Sequence, residues 1–436
     1  MVRVAYLANQ FPSPVEPYVS AEIVELRKRG LEVIAGSALR ANNKSAVTKV
    51  GSLDIVMLQP FRLALLMRGL WLCLRHWPRI GDLLQRVVLQ GKESPIQRMK
   101  ALLHTWLGAC YAMRLEGREI RHIHVHHGYF GSWIGMVAAR LLNVDFSMTL
   151  HGSDLLLRRA YLDVKLKNCR FCLTISEFNR RYILEHYPQV EAEKISVTRL
   201  GVEVPEISRS VDFNSSRSAH QSGSEFSILS IGRLHAVKDH AFLVRACAQL
   251  RAGGIHLDCS IAGEGRERHR LESLIRRYGL EADVTLLGHV PPHQIDSLYA
   301  RADVVVLTSR SEGIPLVLME SMARGKVVLA PAITGIPELV ISGKSGFLYE
   351  PGSLGDLVAR LLFIRSLMRA HGSTDQHSYI LSSAKQLDWM RYAATVQVRR
   401  NYDRKKNLKS FGDLFLQRIA PPPGSIRNEN SLLQQI

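Results

Sequence analysis

The stretch FSILSIGRLHAVKDHAFLVRACAQLRAG, residues 226–253, decides the fold class. A short apolar run ends at Gly232-Arg233, a polar turn carries Lys238, and an apolar-periodic segment runs from His240 to a closing glycine at Gly253. Strand, loop and helix with a glycine stop make the repeating unit of a parallel sheet. The rhythm continues downstream. LDCSIAGEG (257–265), VTLLGHV (284–290), DVVVLTS (303–309) and KVVLAPA (326–332) are strand-like, with helical patterns between them. These five strands predict a doubly wound α/β domain over 226–375. Residues 376–436 read as a helical extension, and its last stretch, PPPGSIRNENSLLQQI, is expected to be disordered.

Working back toward the N-terminus, residues 205–225 are Ser-rich, poor in large apolar side chains, and read as a linker. Before it lies a second strand–helix region, 1–204. Val2–Ala8 reads as a buried strand, NQFPSPVEPY as a loop, VSAEIVELRKRG as a helix ending at Gly30, and LEVIAG as the next strand. Alternation returns at HIHVHHGYFG (122–131), FSMTLHGSDL (146–155) and CRFCLTIS (169–176). The CxxC of Cys169 and Cys172 falls inside a strand-like run, which favours buried thiols over redox chemistry. A chain of 436 residues exceeds what one hydrophobic core commonly serves, in keeping with two domains.

Residues 61–121 interrupt this rhythm. They are helical in pattern and carry eleven Lys or Arg against four acids. Arg68, Arg75, Arg79 and Arg86 fall along one helical line flanked by Leu70, Trp71, Leu74 and Trp77, although Pro78 is expected to break the helix. A solvated face and a membrane-touching interfacial helix both fit this pattern. Charged residues within Phe61–Trp77 argue against a bilayer span. MVRVAYLANQ lacks the plan of a signal peptide, so a cytoplasmic protein is the expectation. The formal net charge of +18 favours an anionic partner: a phosphorylated substrate, an anionic membrane surface or nucleic acid.

In doubly wound sheets, ligands lie beyond the carboxyl ends of the strands. Five places there carry candidate chemistry. Gly232, Arg233 and Lys238 can make an anion site suited to a diphosphate, or a plain surface turn. Gly263, Glu264 and Gly265 form a GxG after a strand, a weak signal that a tight turn explains equally well. Glu312 and Glu320 flank Gly313, Ile314 and Pro315. Glu320 falls within an apolar helical run, where an acid is costly to bury unless it binds something such as a sugar hydroxyl. His151 directly follows a strand, with Ser153 or Asp154 as an alternative capping pair. His122, His124 and His126 share one strand face. They either line a cleft or bind a metal, and no acid or cysteine nearby completes a metal set.

Taken together, GRLHAVKD, EGIPLVLME, GIPELVISGKSGFLYEPGS, HVHH, HGSD and ISEFNR resemble the retaining glycosyltransferases of family 4. The resemblance spans roughly residues 1–355, and FPSPVEPYVSAEI resembles the subgroup that builds bacterial exopolysaccharide of the colanic-acid type. It implies a GT-B fold: two doubly wound, Rossmann-like parallel-sheet domains facing across a cleft. It implies a UDP-sugar or GDP-sugar donor held by Gly232, Arg233, Lys238, Gly263, Glu264, Gly265, Val290, Glu312, Gly313, Ile314, Pro315 and Glu320. Arg233 and Lys238 would stabilise the leaving diphosphate, Glu320 hold the ribose, Glu312 contact the donor sugar, and His151 meet that sugar across the cleft. Transfer would proceed with retention and without a cofactor or metal. The acceptor expected is a glycan or lipid-linked glycan, the lipid and a peripheral, cytoplasmic membrane position being motivated by the basic, Trp-bearing segment 61–121. Many relatives carry a double glycine after the first strand. Here a proline-rich loop stands there, which leaves Glu16, Tyr18, His126 and His127 to shape the acceptor side. The competing expectations are a non-catalytic binding protein on the same fold and another GT-B enzyme such as an epimerase or glucan synthase. Nucleic acid is not expected as a partner.

Overall fold

In the computed structural model, residues 2–13, 16–39, 55–59, 63–90, 92–157, 159–205, 225–372 and 378–420 are described. The expected linker (all but its ends), the expected disordered tail, and Pro14 and Val15 of the first loop lie outside them. The described residues form two parallel sheets. The first holds β1 (Arg3–Gln10), β2 (Glu32–Leu39), β3 (Ile55–Met57), β4 (Ile120–His126), β5 (Asp145–Leu150), β6 (Phe171–Thr174) and β7 (Ile195–Val197), in the order β3-β2-β1-β4-β5-β6-β7. The second holds β8 (Phe226–Ile231), β9 (Leu257–Ala262), β10 (Val284–Gly288), β11 (Val304–Val306), β12 (Val327–Pro331) and β13 (Phe347–Tyr349), in the order β10-β9-β8-β11-β12-β13. The five strands expected in the second domain are all present. The short β13, absent from that expectation, completes the edge.

Strand order reverses direction between β1 and β4 in one sheet and between β8 and β11 in the other. Such switch points open a crevice at the carboxyl ends of the strands. The β1–β4 crevice is edged by Gln10 and His126. The β8–β11 crevice is edged by Gly232 and by the loop from Leu307 to Pro315. The strands are near-continuous apolar runs because helices cover both sheet faces: β11 is VVV, fully buried.

Between β3 and β4 stand three helices, Leu63–Arg75, Trp77–Val88 and Pro95–Leu115. Pro78 sits in the first turn of the second helix, so the break falls at His76. The basic line does not survive it. Arg79 donates to the Leu141 carbonyl, and Arg86 pairs with Glu93 and Asp163. Arg68 and Arg75 stay on the outer face with exposed Leu63, Met67, Trp71 and Leu74. No helix among the described residues is long and apolar enough to cross a membrane.

The chain end crosses back. Helix Ser378–Asn401 packs on helix Leu316–Ala323 of the second domain. The chain then turns at Tyr402–Asp403, and helix Arg404–Ile419 lies against helix Pro17–Lys28 of the first domain. Phe411 and Phe415 join the core around Tyr6, Ile23, Leu26 and Phe171. The extension expected as one unit is therefore shared between the domains. Gly201 is a contact point of this return: a Cβ there would lie 2.7 Å from Arg404 Cα.

Candidate functional site

The first-domain half of the site is built on β4 and β5. Period-two alternation puts His122, His124 and His126 on one face of β4, and all three are buried. Ser147 Oγ lies 2.6 Å from His122 Nε2 and 2.7 Å from His124 Nδ1, and Thr149 Oγ1 lies 3.0 Å from His124 Nε2. Phe171 and Phe415 pack against these two rings. Burial drives their pKa values down, that of His122 to about 3 and that of His124 well below its ordinary value, so both are neutral. Among the described residues no three His, Cys, Asp or Glu side chains are grouped to hold a metal ion. His122 and His124 are thus scaffold, and the cleft begins at His126.

His126 is a junction. Its Nε2 lies 2.7 Å from Glu22 Oε2 and 2.8 Å from Tyr6 Oη, and its Nδ1 lies 2.9 Å from His151 Nε2. His151 is stacked on Tyr18 with ring centroids 4.8 Å apart. Burial, with His127 and His126 close by, holds the His151 pKa well below the usual value. His127 follows in a left-handed conformation, φ 69°, which turns its ring out of the strand register. Its Nε2 lies 2.9 Å from Glu16 Oε1 and its Nδ1 3.6 Å from Asp154 Oδ2. Burial opposes its charge, but the two carboxylates prevail and raise its pKa to about 9. Asp154 is fully buried and accepts from the backbone N–H groups of Gly128, His151 and Gly152. Despite burial, the nearby His127 charge and the backbone N–H bonds hold its pKa low. All four residues expected on the acceptor side, Glu16, Tyr18, His126 and His127, therefore belong to one connected network with His151.

Glu22 and Tyr6 were not singled out by sequence, yet they complete this network. The signal for Glu22 was its spacing: with Val19, Ile23 and Leu26 it falls on the buried stripe of helix Pro17–Lys28.

The second-domain half is built at β8 and β11. Lys238 Nζ lies 2.5 Å from Glu312 Oε1, both side chains mostly shielded. The Lys238 loop is held by Thr308 Oγ1, which donates to the Lys238 or Asp239 carbonyl, each at 3.0 Å. Arg233 is exposed and faces the cleft closely enough for its charge to act on Glu16 of the other domain. Gly263 is required here: at φ 150°, a Cβ would lie 1.9 Å from the Gly232 carbonyl oxygen. Gly265 sits likewise against Leu234. The Glu264 carboxylate turns outward into an exposed ion pair with Arg268, so only its backbone edges the site. Val290 packs half-buried on the core that holds Tyr299 and Leu318. Glu320 receives the Tyr299 hydroxyl at 3.2 Å, and burial raises its pKa. Glu320 also lines an interdomain cavity of about 220 Å³ with Tyr18, Glu22, Leu316, Arg324 and Arg404.

The two halves touch. A Cβ on Gly313 would lie 2.1 Å from the His151 carbonyl oxygen, so Gly313 permits backbone-to-backbone approach across the cleft. Glu338, from the GIPE motif, accepts from the Glu177 N–H at 3.0 Å and the Phe178 N–H at 2.6 Å. It places a second-domain carboxylate on the N-terminus of a first-domain helix, whose dipole favours it. The His151 ring packs between His126 and Tyr18, and its backbone carbonyl meets Gly313 of the donor-side loop across the cleft.

Residues 15–205 match the profile of Glycosyltransferase Family 4, and residues 212–370 match Glycosyl transferases group 1. The chain belongs to the family 4 and group 1 glycosyltransferases. Among relatives of this family, one named for amylovoran biosynthesis, AmsK of Erwinia amylovora, is 32% identical over 253 residues, covering 55% of this chain and 60% of that protein. One named for colanic acid biosynthesis, WcaL of Salmonella typhimurium, is 37% identical over 175 residues, 39% of this chain and 41% of that protein. The chain thus aligns with about half the length of these curated relatives. Anabaena HepE, solved in complex with UDP, superposes with a TM-score of 0.66 at 18% identity, covering 96% of this chain and all of that one. That likeness establishes the GT-B fold.

Proposed function

We propose that this family member transfers a sugar from a nucleoside-diphosphate sugar, with retention, to a glycan or lipid-linked glycan in exopolysaccharide synthesis. The observation that carries this reading is the Lys238–Glu312 pair at the mouth of the β8–β11 switch point, beside the glycine-lined backbone of Gly232 and Gly263. A cation next to bare backbone suits a diphosphate, and an acid beside it suits a sugar hydroxyl. The named subjects of the aligned relatives, amylovoran and colanic acid, support the polymer, and the HepE complexes with UDP and UDP-glucose support the donor class.

In this reading Arg233 and Lys238 stabilise charge on the departing diphosphate. Glu320, seated on Tyr299, takes the ribose hydroxyls, and Glu312 orients the donor sugar. The acceptor lies against Glu16, Tyr18 and the His126–His127–His151 network. The leaving phosphate receives the acceptor's proton as the new bond forms on the same face, and no cofactor or metal is required. A peripheral position on the cytoplasmic membrane face fits the exposed Leu63, Met67, Trp71 and Leu74 beside Arg68 and Arg75.

The test is transfer itself. Purified protein, labelled UDP- or GDP-sugars and membrane extract are incubated with a chelator, and the anomeric proton of the product is read by NMR. Product with the donor's anomeric configuration supports the proposal. An inverted product, or activity only with added divalent metal, refutes the corresponding part.

A further inference from the structure

A second cavity, of about 470 Å³, lies wholly within the first domain, under helix Pro95–Leu115. Its polar floor is Lys165, which is 3% exposed. Lys165 Nζ donates to the Gly128 carbonyl at 2.6 Å and contacts that of Tyr129 at 3.5 Å. No carboxylate oxygen lies within 4 Å of it among the described residues. Asp154, Asp163 and Glu93 act on its charge only from beyond contact, so an anionic ligand touching the ammonium would offset the cost of its burial more fully. His104 and Lys100 stand over the same cavity. Its walls are aromatic, with Trp133, Tyr161 and Phe130, and Leu103 and Leu157 at its rim are 47% and 56% exposed. Beyond the rim the same helix shows Ile96 and Met99, 66% and 71% exposed.

We propose that this cavity seats the phosphate of a lipid-linked acceptor, with its hydrocarbon chain leaving over Leu103 and Leu157. The cavity adjoins the acceptor network directly. Gly128 gives its carbonyl to Lys165 and its N–H to Asp154, and Tyr129 stacks on His127. A phosphate at Lys165 therefore places the first sugars of a glycan against His127 and the cleft. Burial lowers the Lys165 pKa to about 8, which leaves it mainly charged at neutral pH and responsive to an anion. The proposal deepens the glycosyltransferase reading and rests on it for the role of acceptor.

Farnesyl diphosphate, farnesol and inorganic diphosphate are titrated against the full chain, with tryptophan fluorescence and calorimetry as readouts. Farnesyl diphosphate is expected to bind at least about tenfold more tightly than either fragment, because charge and chain act together. Lys165→Met and the surface variant Leu103→Asp should each lose about tenfold, while both keep the parent's thermal shift with UDP. That shift shows that the fold and the donor site are intact. Equal binding of inorganic and farnesyl diphosphate, or unchanged affinity in both variants, overturns the proposal. Displacement of farnesyl diphosphate by phosphatidylglycerol vesicles overturns it too, since the cavity would then be a phospholipid headgroup site. A missing UDP shift in the parent would instead count against the donor reading and leave the cavity result standing.

Discussion

The Lys238 ammonium and the Glu312 carboxylate lie 2.5 Å apart across the β8–β11 switch point, with side-chain exposures of 21% and 13%. Each residue neutralises the other. In the proposed reaction a diphosphate draws Lys238 away from Glu312, which frees the carboxylate for a sugar hydroxyl. Lys238→Met should weaken UDP binding by at least about tenfold, the worth of one charge-assisted hydrogen bond. Glu312→Gln should hold or tighten UDP binding yet slow transfer sharply. Calorimetry with UDP separates the two variants, and equal losses in both would contradict the exchange.

Gly263 carries a conformational requirement and a steric one at once. Alanine there combines φ 150° with a Cβ 1.9 Å from the Gly232 carbonyl oxygen. The strain should cost about 1–3 kcal/mol and displace the Gly232–Arg233 turn. Chemical denaturation measures the first effect, and loss of UDP affinity the second. A fully stable variant with normal affinity would mean that the turn is not held as described.

His127 should give the protein a specific alkaline sensitivity. Its pKa is raised to about 9, so its charged pairing with Asp154 and Glu16 stabilises the fold fully below the ordinary histidine value near 6.5 and is lost as pH rises through about 9. The stability difference between the parent and His127→Gln should therefore shrink by about 3 kcal/mol or less across that window. Comparing the variants at each pH removes the opposing effect of Lys165, whose lowered pKa of about 8 relieves strain as pH rises. A difference independent of pH would refute the pairing.

Glu338 bonds the backbone at the start of helix Glu177–His186 from the opposite domain. Glu338→Ala removes a carboxylate from a helix N-terminus and should cost about 1–3 kcal/mol of domain closure. The expected result is a larger radius of gyration by solution scattering and a lower kcat/KM, with unfolding of the separate domains unchanged. Identical scattering would place the closure elsewhere.

Much of this was legible in sequence because it is local. Strand ends, Gly232, Gly263, Lys238, Glu312 and Glu320 lie within single βα units, where periodicity and turn chemistry fix position. What escaped depends on contacts between distant segments. Helix Arg404–Ile419 returns to pack Phe415 on Tyr6 and Phe171, and nothing local says which domain its apolar face meets. Glu22 sits in an ordinary helical pattern and meets His126 across 104 residues. Lys165 carries no motif, and only the fold buries it. The line of arginines over 68–86 failed for a local reason, since a new helix opens at Trp77 and Pro78 and its arginines are tied down, Arg79 to the Leu141 carbonyl and Arg86 to Glu93 and Asp163.

The proposed nucleotide-sugar site joins the β8–β11 switch point to Glu320 as the ribose contact. Thermal stabilisation by UDP, GDP, ADP and TDP, without metal, tests it most directly in the parent and in Glu320→Ala. A ligand at about a hundred times its dissociation constant adds about 2.7 kcal/mol, a shift that is readily measured. A shift with one of the four, lost in Glu320→Ala, is the predicted result and identifies the base. No shift with any of them, or equal shifts in parent and variant, would contradict the assignment.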